Sequence, residues 1–290
     1  MKPYVRLCER GNIALLPLDE GIKRATTDRN EGTGKMAYHC ASWTAKGGRF
    51  CMIKKYYSFR TLPASVKVRE KRAKRHNVTN TTQAEVNRRL RLENLTRLIM
   101  ENYEAGDWYV TYTYRERPKD EKSVINDDAK FKRKLRDIYR RAGEEARYIS
   151  VIENLTGRGR AHGHIILPAL SACDMERIQK AWTHGTIKIK LYGGDAESAA
   201  RMAAYFTKEK IKGTSGRLQT SRNLTRTPVK KERVTRADAY REEITPPRGY
   251  RLIKSLSQRT HTAEGYPVTI AYFERDTRDM RQKRRKRDGE

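Results

Sequence analysis

Arg160-Ala-His-Gly-His-Ile-Ile-Leu167 is an apolar run interrupted by two histidines two residues apart and closed by Pro168. Such a run reads as a strand, in which residues i and i+2 point to the same face, so His162 and His164 offer two imidazoles side by side. Burying both without a shared partner is costly, and a metal ion is such a partner. Upstream, Arg147-Tyr-Ile-Ser-Val-Ile-Glu153 reads as a second strand, joined to the first by the glycine-rich Asn154-Leu-Thr-Gly-Arg-Gly-Arg160. The two predict an antiparallel hairpin, and folding it back sets Glu153 level with His162. Two imidazoles and one carboxylate suit Mg²⁺ or Mn²⁺ in a phosphate site, and the lack of a cysteine argues against a closed structural zinc.

The flanking sequence predicts helices and strands in alternation. Apolar residues at Val86, Leu90, Leu92, Leu95, Leu98 and Ile99 recur at helical spacing over 83–102, with Thr82 as the expected N-cap. Trp108-Tyr-Val-Thr-Tyr-Thr-Tyr114 alternates and is rich in aromatic and β-branched residues, a strand. It can present Thr111 and Thr113 on one face beside the metal or simply form the central strand, and the second reading is preferred. Asp127 or Asp128 is the expected cap of the next helix, ending at Gly143. Helices over 171–183 and 195–210 bracket a short strand over 186–191. The order α-β-α-β-β-α-β-α, with strands covered by helices, predicts an α+β fold on an antiparallel sheet.

The second helix of that bracket carries Tyr205-Phe-Thr-Lys208, a phenol and an ammonium three apart on one helical face. A phenol of pKa near 10 is only about one part in a thousand ionised at neutral pH. To attack a phosphate it needs a metal-polarised target and a nearby cation. Tyr205 is the expected nucleophile and Lys208 the phosphate contact.

Sixty-four Lys and Arg against 35 Asp and Glu leave a net charge of +29 in 290 residues. With a pI near 10.1, the expected partner is a polyanion. Charge alone selects a partner class and no reaction, and it would serve a packaging protein equally. Arg158, Arg160, Lys210, Arg217 and Arg222 are the expected DNA contacts near the two motifs. The first residues lack an apolar targeting segment and no run is long enough to span a bilayer, so a soluble, cytoplasmic protein with no membrane partner is expected. Cys8, Cys40, Cys51 and Cys173 show no C-x-x-C spacing; His39 with Cys40, Cys51 and Cys8 is too loosely spaced for a zinc motif.

Four regions are expected. Residues 1–80 form an irregular or weakly β basic extension that includes Lys67–His76. Residues 81–225 form the domain that carries the chemistry, 226–275 a C-terminal β-hairpin region built on 250–256 and 268–273, and 276–290 a disordered basic tail.

At Trp108–Tyr114, His162-Gly-His164 and Tyr205-Phe-Thr-Lys208, in that order, the chain resembles the HUH endonucleases, which are named for a His-hydrophobe-His metal motif. The likeness is strongest to rolling-circle replication initiators of phages and plasmids, including the filamentous-phage gene II type, and covers roughly residues 83–225. Ser221-Arg222-Asn223-Leu224 with Pro228, and the helix containing Asn87-Arg88-Arg89, resemble flanking elements of phage members. Gly163 departs from the motif, standing where the family has a bulky hydrophobe. No second tyrosine follows Tyr205 at close helical spacing, so the likeness is to single-tyrosine members, and no nucleotide-binding P-loop indicates a fused helicase.

The resemblance implies a five-stranded antiparallel sheet with the histidines on a central strand and the tyrosine helix across the same face. It implies metal-dependent nicking of single-stranded or origin DNA, a 5′-phosphotyrosyl link, and a freed 3′-hydroxyl for host polymerase and helicase. A transposase or relaxase would use the same chemistry on other ends. A non-catalytic nucleic-acid-binding protein is the reading from a different class.

Overall fold

The computed structural model describes residues 37–58, 81–155, 160–208, 217–262 and 265–276. Arg158, Lys210, Cys8, the basic arm 67–76 and the basic tail lie outside them. In chain order the elements are β1 (Ala37–Thr44), β2 (Phe50–Ser58), α1 (Thr81–Asn102), β3 (Trp108–Tyr114), α2 (Glu121–Arg141), β4 (Ile149–Glu153) and β5 (His162–Leu167). There follow α3 (Ala172–Ala181), β6 (Gly185–Leu191), α4 (Ala196–Thr207), β7 (Arg217–Thr220), β8 (Lys230–Val234) and α5 (Arg236–Tyr240). Last come β9 (Tyr250–Leu252), a 3-10 turn (Lys254–Leu256), β10 (Gln258–His261) and β11 (Pro267–Arg275). None of the described helices is long and apolar enough to cross a membrane.

The chain divides into two compact units, Arg88–Arg226 and the remainder. The first is α+β, built on a five-stranded sheet of order β6-β3-β5-β4-β7, every pairing antiparallel. The central strand is β5, with β3 beside it. At the edge stands β7, whose Arg-Leu-Gln-Thr reads in sequence only as polar and basic; pairing along Ile149–Ile152 of β4 recruits it.

One face of this sheet packs on α2 and α3. Val110, Tyr112 and Tyr114 of β3, Ile165 and Leu167 of β5, and Ile152 of β4 bury there against Phe131, Leu135, Tyr139, Ile178 and Trp182. Alternation along β3 makes this possible: Tyr109, Thr111 and Thr113 point the other way. The α2 helix starts earlier than the sequence predicts, because Asp120 and not Asp127 or Asp128 is the N-cap, its carboxylate accepting from the Ser123 N–H at 2.7 Å. A cap of this kind contributes about 1 kcal/mol. Asp128 is held inside instead. It is buried, accepting the Tyr112 hydroxyl at 2.5 Å and the Lys132 ammonium at 2.6 Å. Lys132 donates also to Gln219 Oε1 of β7 at 2.8 Å, which ties the edge strand to the helix. Gly143 follows the α2 C-cap at φ 77°, the left-handed turn that ends the helix.

Residues after β7 fasten the unit. Ser221 exchanges bonds with the Tyr148 backbone at 2.8 and 3.0 Å, and the Asn102 amide at the end of α1 bonds both the N–H and the carbonyl of Thr225.

The other unit holds a six-stranded antiparallel sheet, β10-β11-β2-β1-β8 with β9 also on β11. Regular strands β1 and β2 thus stand where an irregular or weakly β extension is expected, their alternation obscured in sequence by Gly, Lys and aromatic residues in mixed order. The segments expected as a C-terminal hairpin both pair with this sheet through β11. On one of its faces α5 caps the strands: Asp238 holds the Lys55 ammonium at 2.8 Å, and Tyr38 bonds Tyr240.

Candidate active site

The β4–β5 hairpin decides the site. Asn154 takes a left-handed φ of 56°, which turns the chain so that Glu153 pairs with His162 and Val151 with His164. Glu153, His162 and His164 therefore share one face of the sheet, the face turned away from α2. One ligand atom from each lies within 4.8 Å of the others. Among the described residues no other cluster of histidines, cysteines and carboxylates has this form; His39, Cys40 and Cys51 do not make one.

Each imidazole is held by its Nδ1. That of His162 lies 2.9 Å from the Arg160 carbonyl, to which its N–H donates. Nδ1 of His164 lies 2.9 Å from the Tyr109 hydroxyl and 3.0 Å from Thr111 Oγ1. Both rings are thus turned by partners outside the cluster, and both Nε2 atoms are directed toward it. His162 Nε2 stands 3.5 Å from the Glu153 carboxylate and His164 Nε2 stands 2.8 Å from the Tyr205 hydroxyl. This arrangement fits a divalent ion: two oriented imidazole nitrogens, one carboxylate, and outer hydrogen bonds that fix ring and tautomer. Thr111, read from sequence as a structural residue of β3, and Tyr109, not singled out at all, are these outer partners. Only the register of β3 against β5, Thr111 opposite His164, shows it.

Charges in the cluster match that use. The hydrogen bond from His162 holds the Glu153 carboxyl below its ordinary range, and the same bond raises His162. Burial, then the neighbouring His162, lowers His164 to about 4, so it is neutral near pH 7 and has a lone pair to give. Burial, then the charge of Glu153, pushes the Tyr205 phenol up to about 12.

Tyr205 comes from α4, whose Ala196, Ala199, Ala200 and Ala203 are buried and whose Asp195 caps it by accepting from the Ser198 N–H at 2.7 Å. Phe206, also buried, lies 6.3 Å from the Tyr109 ring. Tyr205, in the last turn, is 36% exposed, which leaves the phenol open to a polymer substrate. The helix ends at Thr207, short of the sequence reading. Lys208 is the C-cap, with ψ 134° and its N–H on the Tyr205 carbonyl, so it does not stack above Tyr205 on a helical face. Its charge still acts on Glu153.

Gly163, between the two histidines, is accounted for by its neighbour across the pair, Tyr112. A Cβ on Gly163 would come within 2.1 Å of the Tyr112 ring. The aromatic side chain lies over the glycine and fills the space that a hydrophobe would occupy.

Of the expected DNA contacts, Arg160 is exposed at the end of the hairpin turn and Arg222 is exposed in the turn after β7. Arg217 is opposite Ile152, so it lies on the α2 face, away from the histidines.

All four of Glu153, His162, His164 and Tyr205 fall in one stretch with a known likeness. Residues 107–210 match a family of replication-associated proteins, described as the ORF2 and gene II protein type. No curated protein and no solved structure matches the chain.

Proposed function

We propose that this chain initiates rolling-circle DNA replication as a metal-dependent single-strand endonuclease and strand transferase. The observation that carries the reading is the Tyr205 hydroxyl at 2.8 Å from His164 Nε2, inside a His-His-Glu cluster. The match of the same stretch to a replication-associated family supports DNA as the substrate and replication as the process.

A divalent ion, Mg²⁺ or Mn²⁺, held by Glu153, His162 and His164 would supply polarisation of the scissile phosphate. The chain's own residues do the rest. Tyr109, Thr111 and the Arg160 carbonyl hold the ligand rings in place. Tyr205 gives up its proton and its oxygen attacks phosphorus; the bond from phosphorus to the 3′-oxygen breaks, and a 5′-phosphotyrosyl link remains. Lys208 adds positive charge at the developing oxyanion. Attack by a 3′-hydroxyl on the phosphotyrosine reverses the step and rejoins the strand without ATP. Host polymerase and helicase are the partners that would use the freed end.

The test is incubation with labelled single-stranded origin-region DNA and Mn²⁺ or Mg²⁺, followed by denaturing electrophoresis. A covalent adduct that EDTA and Tyr205→Phe both abolish is the expected result. Intact salt-sensitive binding with no adduct on any such DNA would replace this reading by that of a non-catalytic binding protein.

A further inference from the structure

The two sides of the metal cluster are unlike. Toward β4 the site face closes: Ile149 is fully buried and Val151 is 3% exposed, and β7 adds only Leu218 and Thr220 there, opposite these two. Toward β6 it opens. Thr186, Lys188 and Lys190 are exposed, and the register sets them opposite Thr113, Thr111 and Tyr109 in turn. Thr111 is in its turn opposite His164, and Thr113 opposite His162. Lys188 therefore stands in one cross-strand row with Thr111 and His164, about 10 Å from the histidine, since neighbouring strands are about 4.8 Å apart.

From the β6 edge inward, the first carboxylate on this face is Glu153 itself. Before it come ammonium groups, hydroxyls and the two imidazoles. Among the described residues neither Lys188 nor Lys190 is drawn into an ion pair. An edge strand carries lysines for another reason, to discourage pairing with a second chain, but that role is served on either face. Here Ile187 and Ile189 pack inward with α2 and α3, which commits both lysines to the face of the cluster.

We infer that a single DNA strand reaches the site across β6 and β3, its phosphates held by Lys188 and Lys190, and that no comparable track runs over the β7 side. This deepens the nicking proposal and rests on it for the identity of the polymer. The lysines lie two residues apart, about 6.8 Å along the strand, so each meets a successive phosphate of an extended chain. They hold and align the flank of the scissile phosphate and take no part in bond making.

The experiment measures binding of a dye-labelled, mixed-sequence single-stranded oligonucleotide by fluorescence anisotropy. EDTA is present, so nothing is cut, and salt is varied between about 50 and 200 mM. Each phosphate contact to a single strand contributes about 0.7 to the slope of log K against log salt. Lys188→Gln with Lys190→Gln flattens that slope by about 1.4 and weakens binding roughly tenfold or more at low salt. Lys130→Gln with Arg133→Gln, exposed positions on α2 behind the sheet, leaves the slope as in the parent. Equal slopes for the two double variants would overturn the inference. Adduct formation is scored separately. An absent adduct in the parent protein would sink the nicking reading, while the slopes, which need no cut, decide the track.

Discussion

Thr111 and Tyr112 are adjacent in β3 and face opposite sides of the same sheet, and the two sides treat polar atoms differently. Behind the sheet, the Tyr112 hydroxyl, the Asp128 carboxylate, the Lys132 ammonium and the Gln219 amide form a closed chain. The Lys132 and Asp128 side chains are only 4% and 3% exposed. Burial lowers Lys132 and Asp128 opposes that shift, so the pair is a matched one in a low-dielectric setting. On the front, Thr111 and Tyr109 hold one edge of an imidazole and leave the other edge directed at a carboxylate and a phenol. A polar chain that closes on itself holds helix to sheet; one that ends in convergent donor atoms can bind something.

Substitutions can break this contrast. The largest effect is expected from His164→Ala, which should remove metal-dependent adduct formation altogether, with Mn²⁺ binding by calorimetry lost in parallel. If the adduct persists, the front is not a metal site. Next is Lys132→Met. It leaves the buried Asp128 carboxylate without its cation and should lower stability by about 3–5 kcal/mol in urea titration. Replacing Lys132 and Asp128 together by hydrophobic residues should recover much of that, since a buried pair is worth little more than well-packed apolar groups. Gly163→Ala sets a methyl group against the Tyr112 ring and should cost about 1–3 kcal/mol by overpacking. An unaltered urea midpoint would show that the ring does not fill that space. The smallest is Thr111→Val, which keeps the shape of β3 and removes one outer hydrogen bond to His164. Metal affinity should fall by about tenfold with the midpoint unmoved.

How much of this is legible in sequence varies with the range of the interactions. Strands β3 and β5 can be read to the residue because alternation and an apolar run are local properties. Glu153 is found because a hairpin is local too. Asp128 reads as a cap but is not one: its hydroxyl partner Tyr112 is 16 positions away, its cation Lys132 is shared with a residue 87 positions further on, and nothing nearby marks it for burial. Strand β7 is not legible, since Arg-Leu-Gln-Thr has no strand signal apart from the edge that receives it. Arg217 stands out in sequence for its charge, and register alone shows that it faces away. Conversely, Thr-Ile-Lys-Ile-Lys-Leu in β6 shows its alternation openly, but which side the lysines take depends on the pairing with β3.

The place of Gly163 bears on how such a site changes over generations. With the Tyr112 ring lying where a side chain at 163 would go, the two positions form a ratchet. A bulky residue at 163 is closed off until 112 has first become small, and a smaller 112 leaves a gap over a bare backbone until 163 has grown. Descent from a His-hydrophobe-His ancestor to this chain, or back, passes through a less stable intermediate in either order, so this variant of the motif is expected to persist in a lineage once acquired.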